Sequence, residues 1–105
     1  MDFLYHAYMP FWVYILQSES TGKIYIGHTS NLERRLQEHN DKHLGKQRYT
    51  RKQQGPWIMI FSEEMPSRSE AMKREKFLKS GSGREWIYHR IAPHMVRRQS
   101  PPQAD

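Results

Sequence analysis

The chain contains no cysteine. That excludes a disulfide framework, a thiolate metal site and a cysteine nucleophile. It also holds no apolar run near the ~20 residues a membrane-spanning helix needs. The N-terminal M-D-F-L-Y-H-A-Y-M-P has neither a basic start nor a continuous apolar stretch, so no signal peptide is expected. A cytoplasmic protein with no membrane partner is the expectation. Apolar residues are scarce as well: 36% of 105 residues, with a mean hydropathy of −0.96. Such a chain builds one domain with one modest core. Aromatic residues, at 12%, compensate because each buried ring removes a large apolar area from water.

Acidic residues are absent from one segment, and that absence is informative. The net charge is +6, which favours a polyanionic partner over a small-molecule cofactor. From Lys42 to Gly55 the cations Lys42, Lys46, Arg48, Arg51 and Lys52 meet no carboxylate, and Tyr49 stands among them. A basic loop with an aromatic ring suits a phosphate backbone with splayed bases. His28 and the outward-facing Arg34 are counted with these residues as nucleic-acid contacts. DNA is the expected partner and RNA the other polyanion it fits, with the protein a monomer or weak homodimer. Among His6, His28, His43, His89 and His94 there is no H-x-x-x-H spacing, so no zinc site is expected.

Residues 1–10 form an extension, 11–92 a domain and 93–105 a polar tail. Within the domain, F-W-V-Y-I-L-Q at 11–17 is rich in β-branched and aromatic residues and predicts a strand. A turn over 18–22 leads to a second strand, 23–27, and the chain is expected to turn sharply at Gly27. Ser30 with Glu33 predicts a capping box for a helix over about 30–41. W-I-M-I-F-S at 57–62 reads as a buried central strand. Ser67 with Glu70 starts a helix to about Ser80, with Gly81 as a left-handed C-cap. Ser82 with Glu85 starts a last helix, which stops before Pro93.

Two helices carry polar residues on their apolar faces. Leu32, Arg35, Leu36 and His39 fall at i, i+3, i+4 and i+7. Ala71, Glu75 and Leu78 fall at i, i+4 and i+7. Together with Tyr14 and Tyr25 on the strands, the inward polar set is Tyr14, Tyr25, Arg35, His39 and Glu75. One carboxylate can hold one hard divalent ion, an arginine can stabilise phosphoryl charge, and a phenol or imidazole can take a proton from water. Each residue also has an ordinary reading. Strand tyrosines are usually core residues, His39 near a helix end favours the dipole, and Arg35 and Glu75 can form a structural ion pair.

V-Y-I at 13–15, Y-I-G at 25–27, R-R-L at 34–36, H-N at 39–40 and E-A-M-K-R-E at 70–75 resemble the GIY-YIG nuclease family. The match runs from about Phe11 to Ile91 and looks closest to small, single-domain bacterial members. The resemblance implies an α+β fold with a central three-stranded antiparallel sheet flanked by helices. It implies a Mg²⁺- or Mn²⁺-dependent endonuclease in which Tyr14 and Tyr25 match the motif tyrosines, one of them helping to activate or orient water. Arg35 matches the phosphate-stabilising arginine, Glu75 the single metal ligand, and His39 a position close to the scissile phosphate. Val13 departs from the first motif glycine, and His28 stands where repair-incision relatives carry lysine. The expected activity is hydrolysis of structured or single-stranded DNA in repair or recombination. The alternative is a nucleic-acid-binding module with the same fold and little or no cleavage.

Overall fold

The computed structural model describes residues 9–41 and 55–95. F-W-V-Y-I-L-Q-S becomes β1 (Phe11–Ser18), the middle strand of the sheet. Its residues alternate between two faces, and both faces are covered: Val13, Tyr14, Ile15 and Leu16 are each at most 1% exposed. β2 (Ile24–Thr29) and β3 (Trp57–Met65) flank it in the order β2-β1-β3, both antiparallel to it. The helices are α1 (Leu32–Asn40), α2 (Arg68–Leu78) and α3 (Gly81–Arg90), followed by a 3₁₀ turn at Ala92–His94. This is the expected α+β architecture.

Two apolar clusters sit on opposite faces of the sheet. Val13, Ile15 and Ile26 pack with Ala71 and Leu78 of α2 and with Ile87 and Ile91. Tyr14, Leu16 and Trp57 pack on the other face with Tyr25, Met59 and the α1 residues Leu32 and Leu36. The face of α1 read from the i, i+3, i+4, i+7 spacing is thus the one that meets the strands.

Five local expectations are corrected. Trp57–Ser62 belongs to an edge strand, not a central one; β3 continues through Ser62, Glu63 and Glu64, whose polarity suits a margin. A register shift opposite Ile15 and Leu16 leaves Ile60 as an extra residue, and such bulges protect edges from further pairing. Gly27 does not turn the chain but lies within β2, facing Tyr14. The α1 cap is Asn31, whose side chain accepts from the Arg34 N–H at 3.1 Å; the Ser30–Glu33 box is one residue out of step. Gly81 is a helical residue of α3 instead of a left-handed cap, and the only positive-φ glycine among the described residues is Gly22, in the hairpin turn.

Ser80 explains the last point. Its hydroxyl donates to the Phe77 carbonyl at the end of α2 and accepts from the Gly83 N–H at the start of α3, at 3.1 Å. One serine therefore closes one helix and caps the next, in place of the predicted Ser82–Glu85 box. A side chain at Gly83 would lie 2.0 Å from the Phe77 oxygen, so the tight approach of the two helices needs that glycine. The Ser67 cap is observed as expected, accepting from the Glu70 N–H at 3.2 Å.

Asn40 ties α1 to β3. Its carbonyl oxygen accepts from the Trp57 N–H at 2.7 Å and its amide donates to the Trp57 carbonyl at 3.1 Å. The basic residues Lys42, Lys46, Arg48, Arg51 and Lys52 lie between these two anchors, outside the described residues. Among the described residues no helix is long and apolar enough to cross a membrane.

Candidate active site

The site is built around a missing side chain. Tyr14 faces Gly27 across the β1–β2 ladder, while Tyr25 faces Leu16. Both tyrosines therefore project to the α1 face, two positions apart. A Cβ at residue 27 would stand 2.6 Å from the Tyr14 hydroxyl oxygen and 2.8 Å from the ring carbon bearing it. Glycine leaves room for the Tyr14 ring to lie over the strand beside Tyr25, with centroids 6.3 Å apart.

His39 completes this group from α1. It is 2% exposed, its Nε2 lies 3.0 Å from the Tyr14 hydroxyl oxygen, and its ring centroid is 4.7 Å from that of Tyr25. Burial, reinforced by the Arg35 charge, lowers its pKa to about 4. At neutral pH the imidazole is uncharged, so the helix-dipole reading of His39 does not hold. Burial first, and then the neighbouring Tyr25, push the Tyr14 phenol well above its ordinary value, against the pull of Arg35. Tyr14 and His39 thus form a sealed, neutral pair, and Tyr25, only partly buried, is the phenol that borders solvent.

Arg35 lies beside this pair. Its Nη1 donates to Glu38 at 3.0 Å, and Glu38 also accepts from Arg34 at 3.0 Å. Arg34 is largely exposed, while the Arg35 side chain is 30% exposed. The Arg35 Nε is buried and, among the described residues, has no hydrogen-bond partner. A buried donor left unpaired costs about 1–3 kcal/mol.

Glu75 approaches from the other face. It rises from α2 toward His28, whose Nδ1 donates to the Glu75 Oε1 at 2.6 Å. Lys79 donates to Oε2 at 2.5 Å. The structural ion pair imagined between Arg35 and Glu75 is not formed: each has found a different partner. Burial alone would raise the Glu75 pKa, but Lys79 and His28 outweigh it, and the carboxyl ends below its ordinary value. It is ionised at neutral pH.

Five residues expected inward therefore split into two groups. Tyr14, Tyr25, Arg35 and His39 gather on the α1 face; Glu75 stands with His28 on the α2 face. Two open depressions border β2 and share Lys79 as a wall. One is lined by Ile24, Tyr25 and Ile26; the other, of about 290 Å³, by His28, Met72, Glu75 and Lys76. The Glu75 charge still reaches Tyr14, where it adds to the upward shift of the phenol. Reading the sequence missed Lys79 as the second partner of Glu75, although its i,i+4 spacing on a helix signals such a pair. It also missed the pairing of His28 with Glu75, residues 47 apart in sequence, for which no local signal exists.

Residues 10–89 match the GIY-YIG catalytic domain. The chain belongs to the GIY-YIG family. This GIY-YIG chain is similar to a UPF0213 protein of Desulfotalea psychrophila, 44% identical over 71 residues. That alignment covers 67% of this chain and 62% of the relative, so the chain spans somewhat under two thirds of its length. A UPF0213 protein of Staphylococcus haemolyticus is 35% identical over 71 residues, covering 68% of this chain and 82% of the relative. The solution NMR structure of a UPF0213 protein from Bacillus halodurans covers 82% of this chain and 90% of that one, at 27% identity and a TM-score of 0.48. Membership in the GIY-YIG family supports a nuclease-like function acting on nucleic acid.

The GIY-YIG resemblance implies a divalent metal, and the donor set can be tested for one. Among the described residues no three carboxylate, histidine or cysteine side chains cluster as a ready metal cage. Glu75 is nevertheless ionised and borders an open depression, and each of its oxygens, with one hydrogen bond, keeps a further lone pair. Lys79 is half exposed. The residues fit a hard ion held by one carboxylate, with water and substrate oxygens completing its shell.

Proposed function

We propose that this chain is a divalent-metal-dependent endonuclease that hydrolyses DNA phosphodiester bonds, with structured or single-stranded DNA as its substrate in repair or recombination. The observation that carries the reading is the part-exposed Arg35 guanidinium standing beside a neutral phenol–imidazole pair. Family membership supplies the reaction class.

Glu75 is the residue that would hold Mg²⁺ or Mn²⁺, and the ion would neutralise charge on the leaving oxygen. Arg35 binds a non-bridging phosphoryl oxygen through its part-exposed guanidinium, and that bond strengthens as charge develops there. Glu38 holds the guanidinium in place. Tyr25 borders solvent and orients the attacking water. Tyr14 and His39 sit beneath it; the neutral imidazole accepts hydrogen bonds and fixes the stack of rings that aims Tyr25. Arg34 and the basic residues Lys42, Lys46, Arg48, Arg51 and Lys52 contact the strand on either side, while His28 stands at Glu75.

A test is purified protein with Mg²⁺ or Mn²⁺ on a panel of duplex, branched and single-stranded DNA and RNA. Arg35→Ala is expected to lower turnover by about 10²–10³-fold, and Glu75→Ala to abolish it. If cleavage by the wild type survives both substitutions unchanged, the site is wrongly assigned. The rival reading, a binding module that does not cleave, draws on the engagement of both Glu75 oxygens by His28 and Lys79. Salt-sensitive binding without turnover in any metal would select it.

A further inference from the structure

We infer that His28 is a nitrogen ligand of the cation held at Glu75, so that the site prefers a first-row transition ion to Mg²⁺. The inference rests on Glu75 being the metal carboxylate and adds a second protein donor to it.

The geometry is that of two donors already facing each other. His28 Nδ1 and Glu75 Oε1 are 2.6 Å apart, brought together from β2 and α2. Adjacent donors on one ion, with bonds of ~2.0–2.2 Å, stand roughly 3 Å apart. A slight opening of the pair therefore admits an ion in place of the shared hydrogen. The ligating form of the imidazole carries its hydrogen on Nε2, which leaves the Nδ1 lone pair for the ion. Both side chains line the same open depression, so an ion has an entry path. Lys79 bonds the other carboxylate oxygen, Oε2, and leaves Oε1 facing the imidazole. The side chain of His28 is 23% exposed, enough for access and too little for it to wander.

The donor chemistry sets the preference. A site of one carboxylate and water suits Mg²⁺, which takes oxygen ligands almost exclusively. Adding an imidazole favours first-row transition ions over Mg²⁺, since neutral imidazole is the commonest nitrogen ligand for them.

The experiment is pulsed electron paramagnetic resonance on the whole protein loaded with Mn²⁺, with titrations of Mn²⁺ and Mg²⁺ into the wild type, His28→Ala and Glu75→Ala. The wild-type spectrum is expected to show nitrogen coupling. That coupling is expected to vanish in His28→Ala, with Mn²⁺ affinity down by about tenfold or more and Mg²⁺ affinity unchanged. Circular dichroism checks that each variant folds, and the wild-type spectrum decides even if His28→Ala does not. Mn²⁺ bound through Glu75 with no nitrogen coupling overturns the role of His28 and leaves the proposed metal carboxylate standing. Mn²⁺ binding that persists in Glu75→Ala overturns both.

Discussion

Gly27→Ala is the sharpest probe of how the site is assembled, because the structure and ordinary backbone behaviour predict opposite signs. Gly27 lies in a strand without positive φ. Alanine at such a position, if nothing obstructs it, stabilises a protein by about 0.4–1 kcal/mol through the unfolded chain. At residue 27 the new methyl would stand 2.6 Å from the Tyr14 hydroxyl oxygen and 2.8 Å from its ring carbon. The ring cannot simply swing aside, since Tyr14 is 1% exposed and bonded to the buried His39. Overpacking costs about 1–3 kcal/mol, and leaving the His39 nitrogen unpaired adds about 1–3 kcal/mol. The expected destabilisation is roughly 2–5 kcal/mol by urea denaturation, with a fall in Tm on the order of 10 °C. In a Tyr14→Leu background the obstruction is gone, and the same substitution is expected to cost under about 1 kcal/mol. The double-mutant cycle then reads a coupling of at least about 1 kcal/mol. Equal costs in the two backgrounds, or a stabilised Gly27→Ala, would refute the assignment of Gly27 as the space for Tyr14.

His39 makes stability depend on pH. Its folded pKa, about 4, lies below the ordinary 6.5, so the unfolded state binds the extra proton between those values and stability falls as pH drops through that window. The loss is at most roughly 3 kcal/mol. His39→Gln is expected to flatten this part of the profile, measured as the difference between wild-type and variant unfolding curves from pH 7 to pH 4. A wild-type His39 that titrates near 6.5 by NMR would contradict the burial described. Asn40→Ala removes both hydrogen bonds to the Trp57 backbone and is expected to cost about 1–3 kcal/mol, read as a lower Tm. An unchanged Tm would mean that the clamp between α1 and β3 contributes nothing.

The parts legible in the sequence were those governed by local periodicity. The spacing of Leu32, Arg35, Leu36 and His39 identified the face of α1 that packs on the strands, and Ser67 announced α2. What failed were distinctions of one residue or of partner. Asn31, Ser30 and Thr29 are all competent caps, and only the path of β2 into α1 selects Asn31. S-G-S-G offers two serines, and the close approach at Gly83 selects Ser80 over Ser82. The apolar run of β3 read as central because apolar residues also occupy edge strands when a helix covers one face. Partner choice at Glu75 was illegible for a different reason. His28 reaches it through the fold of β2 against α2, and nothing in the spacing of either segment carries that contact.

The division of the five residues across the sheet makes β2 the element on which the proposed chemistry depends. Tyr25 and His28 have opposite parity on the strand, so they point to opposite faces. Arg35 and His39 belong with the first, and Glu75 with the second. A single phosphate can reach both groups only around the outer margin of β2, and cannot do so through the sheet, where β1 is covered on both sides. Among the described residues no strand pairs with that margin. An open edge is ordinarily a hazard because it invites another strand to pair. β2 limits that hazard by being six residues long and by having the charge of Lys79 along its border. A substrate backbone that follows this edge meets Tyr25, then Lys79, then Glu75. On the proposed reading, the edge stays uncovered because the substrate has to pass along it.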